Sequence, residues 1–483
     1  MKTQSGCFYA VLLGLTFFMG KMKNNETIAA IATGLSESGI SIIRVSGPDA
    51  FSIADKLFKS ADNKRVSEFE SHTVHYGFIV SDGEIIDEVI LNIMKAPRSY
   101  TTEDTVEINC HGGMLITKKV LDLALKNGAR LALPGEFTKR AFLNGRIDLT
   151  RAEAIMDVIS ADNDLALKAS VKQLKGDIYK KISEFRQILL HETAFIESAL
   201  DDPEHISLDG YSEKLYEMIG SMLDELKKLE DSATDGQIIK DGILTVITGK
   251  PNAGKSSFLN MLLGKEKAIV TDIAGTTRDA LEQHVRIGDI SLNLVDTAGI
   301  RTAKDEVEKI GVEISKNYID DADLILYVVD SSSELDENDR HIINLIRKKN
   351  VIILYNKSDL KPLISEEEVM SEFTDEENID IIKISAKEHV GLEGFEDMVK
   401  RFVFTNNVFS NNEILITNMR HKEKIHEAVE SLKLVKQSLD DGMPEDFLTI
   451  DMMSAYTSLG NIIGEEISED LVNEIFAKFC MGK

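Results

Sequence analysis

The chain has no tryptophan, and only three cysteines, Cys7, Cys110 and Cys480, in 483 residues. Cysteines so few and so scattered form neither a disulfide framework nor a metal site, and they fit a reducing, cytoplasmic compartment. Positive charge is also short: the formal net charge is −27, with a pI near 4.8. So acidic a chain gains little from general attraction to a phosphate backbone, so any nucleic-acid contact needs a local basic patch. Proline is missing between Pro134 and Pro203, which leaves long helices uninterrupted there. No flavin or nicotinamide fingerprint occurs, and neither a KH-type module with its GXXG loop nor a basic C-terminal tail is appended.

The rest of the composition is that of an ordinary globular protein, 43% apolar and 28% charged. Its length calls for roughly two to four domains. The long apolar run "CFYAVLLGLTFFMG" (Cys7–Gly20) has signal-peptide length but is too short to span a bilayer comfortably. Lys21-Met22-Lys23 follows it in place of a small-residue cleavage site. Residues 1–21 are therefore read as an extension outside the fold, either upstream of a true start at Met22 or a targeting segment.

Residues 22–144 alternate short β-rich runs ("TIAAIAT", "SIIRVSG", "TVHYGFIV", "EVILNIM", "DTVEINCHGG") with helical stretches at Asp49–Ser60 and Met114–Asn127. That pattern predicts an α+β module. Over 145–240 apolar residues recur at Val171, Leu174, Ile178, Ile182, Phe185 and Leu189, the three-and-four spacing of amphipathic helices. Over 241–404 apolar strands alternate with helical stretches, as in a doubly wound parallel sheet. Over 405–483 the helical texture returns at Leu432, Val435 and Leu439, and again at Leu471, Ile475, Phe476 and Phe479. The expected architecture is a multi-domain α/β plus α+β chain. In it an α/β domain of this doubly wound kind, the kind that houses a P-loop, is inserted into an all-helical domain, and an α+β domain precedes both.

"GKPNAGKS" (Gly249–Ser256) matches G-x-x-x-x-G-K-[ST] and lies between a strand and a helix, as that motif requires. The backbone of Asn252, Ala253, Gly254, Lys255, Ser256 and Ser257 would wrap the phosphates at a helix N-terminus. Lys255 would reach the β- and γ-oxygens, and Ser256 would ligate Mg²⁺. "NKSD" (Asn356, Lys357, Ser358, Asp359) ends the strand "VIILY". The Asp359 carboxylate can accept from both N1–H and the exocyclic amine of guanine, whereas adenine would leave it unpaired. "SAK" (Ser385, Ala386, Lys387) would close over the base. Between the P-loop helix and the next strand lies "TDIAGTTRD", with Thr271, Asp272, Ile273, Ala274, Gly275, Thr276 and Thr277. Thr277 would complete the Mg²⁺ shell, and Asp296 of "DTAG" (Asp296, Thr297, Ala298, Gly299) would hold a Mg²⁺-bound water.

Many GTP hydrolases have a water-orienting Gln after DTAG; this chain has Ile300, which can neither donate nor accept. Asn252 offers a side-chain carbonyl for a monovalent cation beside the phosphates, together with carbonyls of the Thr271–Thr277 loop. K⁺ there would do an arginine finger's work. For the water, spacing offers Glu308 in "DEVEKIG", while Asp305, Glu306 and Glu308 read equally well as a solvated helix face.

Taken together these motifs resemble one family, the tRNA-modification GTPases called MnmE or TrmE, from about Met22 to Lys483. The most diagnostic stretches are "GKPNAGKSS", "IVTDIAGTTRD", "DTAGIR…DEVEKIG", "PGEFTKRAFLNGRIDLTRAEAI" (Pro134–Ile155) and the closing "FCMGK" (Phe479–Lys483). The resemblance implies that Asn252, Thr271, Ile273 and Thr276 bind K⁺ and that Glu308 acts on the attacking water through a bridging water. It also implies an N-terminal folate-binding, dimer-forming domain whose one-carbon donor is 5-formyl- or 5,10-methylene-tetrahydrofolate. Arg44, Glu107, Arg146 and Lys483 match the family's folate-binding positions. The family often has Lys where Arg146 stands and Ile where Met481 stands. Cys480, a candidate chemical residue in such tails, is read here as a small buried hydrophobe.

The implied activity is K⁺-dependent GTP hydrolysis. A homodimer would work with the FAD-dependent partner MnmG (GidA) in a heterotetramer, on tRNA and without a membrane. Together they would place an aminomethyl or carboxymethylaminomethyl group on C5 of a wobble uridine. The rivals are a ribosome-assembly GTPase acting as a nucleotide-switched binding module, and a stand-alone folate enzyme gated by GTP. The missing RNA-binding appendage and redox fingerprints count against them.

Overall fold

The computed structural model describes residues 26–264, 282–288, 290–296, 318–373, 378–404, 414–479 and 482. Outside them lie residues 1–21, the Thr271–Thr277 loop, Thr297–Gly299, Ile300, Glu308, Cys480 and Lys483. Among the described residues no helix is long and apolar enough to cross a membrane. The chain divides into two compact units, one of residues 1–156 with 460–483 and one of residues 157–459.

The first unit is built on a seven-stranded sheet. Its strands are β1 (Ile28–Ile31), β2 (Ser38–Ser46), β3 (Phe58–Ser60), β4 (Thr73–Ser81), β5 (Glu84–Met94), β6 (Thr105–Gly112) and β7 (Arg130–Leu131). They lie in the order β3-β4-β5-β6-β2-β1-β7. The period-two pattern divides the faces. Ile43 and Val45 of β2 and Val106, Ile108 and Cys110 of β6 join the core cluster, which includes residues of the helices Ala50–Leu57 and Met114–Lys126. The alternate residues Arg44 and Glu107 emerge on the other face as directly paired neighbours. The helical stretch expected over Asp49–Ser60 stops at Leu57, because Phe58–Ser60 pairs with β4 as an edge strand. The helix Glu469–Ala477, capped by Ser468, buries Val472 and Phe476 with Phe142 and Leu149.

In the second unit the helix Asp177–Asp201 buries Ile178, Ile182, Phe185 and Leu189 on one stripe. Val171 and Leu174 fall outside that stripe. They belong to a separate helix, Asp164–Leu174, and the chain turns between the two at Gly176, φ 85°. The long helix Tyr211–Asp241 ends at Gly242 and runs straight into a six-stranded sheet. The new strands are β8 (Ile243–Thr248), β9 (Glu282–Ile287), β10 (Ile290–Asp296), β11 (Leu324–Asp330), β12 (Val351–Asn356) and β13 (Ile379–Lys383). Their order is β13-β12-β11-β8-β10-β9, all parallel except β9. β11, β12 and β13 lie on one side of β8, and β10 and β9 on the other. The carboxyl end of β8 is therefore the switch point at which such sheets bind ligands.

After the last helix of the α/β part, Leu392–Phe404, the helix Met419–Asp440 lies against Tyr211–Asp241. His426 Nδ1 is 2.7 Å from Glu230 Oε1, and Ile416 N–H donates to Ser232 Oγ at 3.2 Å. Chain entry and exit are thus adjacent, as an insertion requires. Gly236 marks the tightest point, where a Cβ would sit 2.1 Å from the Ile416 carbonyl oxygen. Gly236→Ala should therefore lower the thermal midpoint. The backbone clash costs about 1–3 kcal/mol, against a helix-propensity gain of about 1 kcal/mol. A midpoint that rises in differential scanning calorimetry would show that this crossing is not tight.

Candidate functional site

The P-loop leaves β8 at Gly249 and enters the helix Lys255–Leu263. Gly254 has φ 105°, and a side chain there would meet Asn356 Nδ2 at 2.1 Å, so only glycine fits. Lys255 is 8% exposed, and its ammonium donates to the carbonyls of Gly249 and Lys250, both at 2.8 Å. Its nitrogen is thus already held over the loop that would receive phosphate. Ser256 and Ser257 are exposed in the first helical turn, and Ala253 is buried. Asn252, also exposed, adopts φ 65°, a left-handed conformation that Asn tolerates better than most side chains.

Asn356, 2% exposed at the end of β12, ties the loops together. Its Nδ2 donates to the Ala253 carbonyl at 2.8 Å, and its Oδ1 accepts from Ala386 N–H at 3.0 Å. One side chain thereby brings the P-loop, NKSD and SAK to a common edge. Ser385 Oγ donates to Asp359 Oδ1 at 2.6 Å. That bond is the main reason the exposed Asp359 carboxyl sits below its usual pKa, so it is an acceptor at neutral pH. Lys357, φ 62°, sends its ammonium to Asp330 Oδ2 at 2.5 Å. Ser358 N–H donates to the Ile384 carbonyl at 3.1 Å, and Lys387 points to solvent beside Glu388. β10 ends at Asp296, whose backbone pairs with Ile247 of β8.

The N-terminal unit holds a second cluster. Arg44 Nε donates to Glu107 Oε1 at 2.8 Å, and Arg44 Nη1 donates to the Gly482 carbonyl at 3.3 Å. Gly482 has φ 85° and lies where a Cβ would be 2.1 Å from the Ile31 carbonyl, so position 482 can lie against β1 only as glycine. The Arg44 guanidinium carbon stands 5.6 Å from the Tyr100 ring centroid and 5.5 Å from that of Phe137. Arg146 covers the Tyr100 ring at 4.8 Å and donates to the Tyr100 carbonyl at 2.8 Å. Arg44, which holds Glu107, and Arg146 thus face the same tyrosine.

Tyr100, Phe137 and Asp330 were not singled out in the sequence. Tyr100 sits in a run without a motif, Phe137 lies unremarked inside the diagnostic stretch Pro134–Ile155, and Asp330 only closes an apolar strand. No spacing signal marks them.

A family model described as the MnmE helical domain matches residues 149–480, and one described as the N-terminus of the GTP-binding protein TrmE matches residues 27–146. A curated protein of Lachnoclostridium phytofermentans is 55% identical over 459 residues, covering 95% of this chain and 99% of its own. One of Clostridioides difficile is 46% identical over 463 residues, with the same coverage of 95% and 99%. Both carry the name tRNA modification GTPase MnmE. A solved structure of Aquifex aeolicus Era bound to GDP and AlF₄⁻ is 27% identical, covering 39% of this chain and 66% of its own, with a TM-score of 0.25.

The base-reading geometry yields one expectation. Asp359→Asn should weaken GTP binding and relax discrimination against xanthosine triphosphate, whose C2 carbonyl the new amide can meet. Equilibrium binding of both nucleotides to both proteins checks it, and an unchanged preference for GTP would remove Asp359 from base recognition.

Proposed function

The chain belongs to the MnmE family of tRNA-modification GTPases, and from that premise we propose that it couples K⁺-dependent GTP hydrolysis to folate-supplied modification of tRNA. GTP binding, GTP hydrolysis and a role in tRNA modification follow from the family. The finer reading rests on particular residues. The observation that carries its nucleotide part is the Asn356 side chain, bonded at once to the P-loop and to SAK.

Phosphoryl transfer asks a protein mainly for positioning and for charge stabilisation. Lys255 would move from its carbonyl rests to the β- and γ-oxygens without leaving the loop. Ser256, exposed in the first helical turn, suits the hard oxygen shell that Mg²⁺ prefers, with Thr277 as the second protein ligand. Asn252 supplies a carbonyl-type oxygen at the loop's left-handed corner, where K⁺ would also take Thr271, Ile273 and Thr276. With Ile300 inert, Glu308 is left to act on the attacking water.

In the N-terminal unit the donor set suits a reduced folate. Glu107 can accept from an amino-pteridine edge, the half-buried Tyr100 offers a flat ring, and Arg44, Arg146 and Lys483 can meet carboxylates. A bound tetrahydrofolate derivative would supply the one-carbon unit; these residues would bind and orient it. Strands β4 and β5 expose Val74, Tyr76 and Ile90, with Tyr76 directly opposite Ile90. An apolar strip of this kind supports a homodimer. Redox chemistry would fall to an FAD-dependent partner of the MnmG type, joined in a heterotetramer, acting on C5 of the wobble uridine.

Hydrolysis assays of the full chain test the catalytic core of this reading. Single-turnover rates should fall sharply when K⁺ is replaced by Na⁺. In K⁺, Glu308→Ala should lose roughly 10²-fold or more with GTP affinity nearly intact, because the group acts mainly in the transition state. Ile300→Ala should change the rate only modestly. Equal rates in the two salts would remove the cation. A Glu308→Ala rate equal to the parent's would return the acidic run to a solvated helix face.

A further inference from the structure

Lys250 occupies a variable position of the P-loop motif, where phosphate binding makes no demand. Its side chain is nonetheless only 13% exposed. The ammonium lies 2.6 Å from Asp339 Oδ2, 3.4 Å from Asp336 Oδ2 and 3.2 Å from the Glu334 carbonyl. All three of its N–H donors have an oxygen within reach. Asp339 is fully buried, and its other oxygen accepts from the Tyr327 hydroxyl of β11 at 3.0 Å. Asp336 caps the helix Glu337–Ile346 and exchanges backbone-to-side-chain bonds with Asp339. The partners of Lys250 are therefore fixed before it arrives.

The same segment touches the base-reading loop at its other end. Asp330 accepts from Lys357, Ser331 N–H donates to the Asn356 carbonyl at 3.0 Å, and Ser331 Oγ donates to the Lys357 carbonyl at 3.2 Å. Residues 330–339 thus run from NKSD to the start of the P-loop, bonded to both. The backbone carbonyl of Lys250 in turn accepts from the Lys255 ammonium.

We propose that Lys250 and Asp339 are a positioning pair for GTP hydrolysis. Through them, segment 330–339 holds the phosphate loop at a fixed distance from the base-reading loop, so that Lys255 and Asn252 meet the reacting phosphates in register. A buried ion pair adds little stability over an apolar pair of similar size, and fixing register is the best-attested use of such pairs. Phosphoryl transfer is sensitive to register, since a misplacement of about 1 Å can cost on the order of 10²-fold in rate. GDP should feel the pair less, because Asn356 and Asp359 hold their loops independently of Lys250.

The test uses the full chain with Lys250→Met and Lys250→Arg, because truncating the buried Asp339 endangers the fold. GDP affinity, KM for GTP and kcat per titrated nucleotide site are measured, with thermal midpoints alongside. Lys250→Met should lower kcat by about 10-fold while the GDP Kd moves by less than about 3-fold. Lys250→Arg keeps the charge but offers planar donors, and should lose less kcat than Lys250→Met. Tyr327→Phe, which removes one support of Asp339, should lower kcat in the same direction by less. An unchanged kcat per site in Lys250→Met, even with a lowered thermal midpoint, would overturn the proposal and leave a merely structural pair. An arginine variant as impaired as the methionine variant would overturn it too.

Discussion

The nucleotide site depends on the amide of Asn356. It is buried at the end of a parallel strand, and it spends both ends of its side chain on backbone groups of other loops. A buried amide with both functions satisfied is stabilising, and one left half-satisfied is costly, so the three loops stand or fall together. The glycine at 254 follows from the same constraint, because its missing side chain is the space that the amide nitrogen occupies. The loops that carry Asp359 and Lys255 are therefore tied together by one buried side chain.

The N-terminal unit solves a different problem within an acidic chain. Arg44 stands on a sheet face with one carboxylate partner, two aromatic rings and the Gly482 carbonyl around it. Arg140, 2% exposed, is held by Glu103 and Glu136, and Arg130 shares Glu136. That second network pins the start of the helix Glu136–Leu143, and burial there is offset by charged bonds. Arg44 and Arg146 differ from it in lying against a tyrosine ring.

Much of this was legible in the chain. Most strands of both sheets appear as β-rich or apolar runs, while β3 fell inside an expected helix and β7 and β9 in no expected run; the P-loop, NKSD and SAK sit at strand ends as their chemistry requires. The insertion showed as a change of texture on both sides of the α/β segment. Pairings between distant residues did not show. That Arg44 faces Glu107 depends on a strand register set by the alternation of Ile43, Val45, Val106 and Ile108. Lys250 reads as an arbitrary loop residue until helix Glu337–Ile346 brings Asp339 to it. Val171 and Leu174 kept the helical period but lost the buried stripe, because Gly176 turns the chain before the next helix. The segments after Leu263 and Asp296 carry the remaining proposed ligands, and these lie outside the described residues.

The central claim is that a GTP-hydrolysing site organised by Asn356 serves the modification of tRNA. Nucleoside analysis of tRNA by mass spectrometry tests it most directly, in a strain lacking this gene and in that strain supplied with the parent or with Asn356→Ala. The account predicts that the C5-modified wobble uridine disappears without the gene, returns with the parent, and does not return with Asn356→Ala. Unchanged wobble nucleosides in the strain lacking the gene, or full restoration by Asn356→Ala, would contradict it.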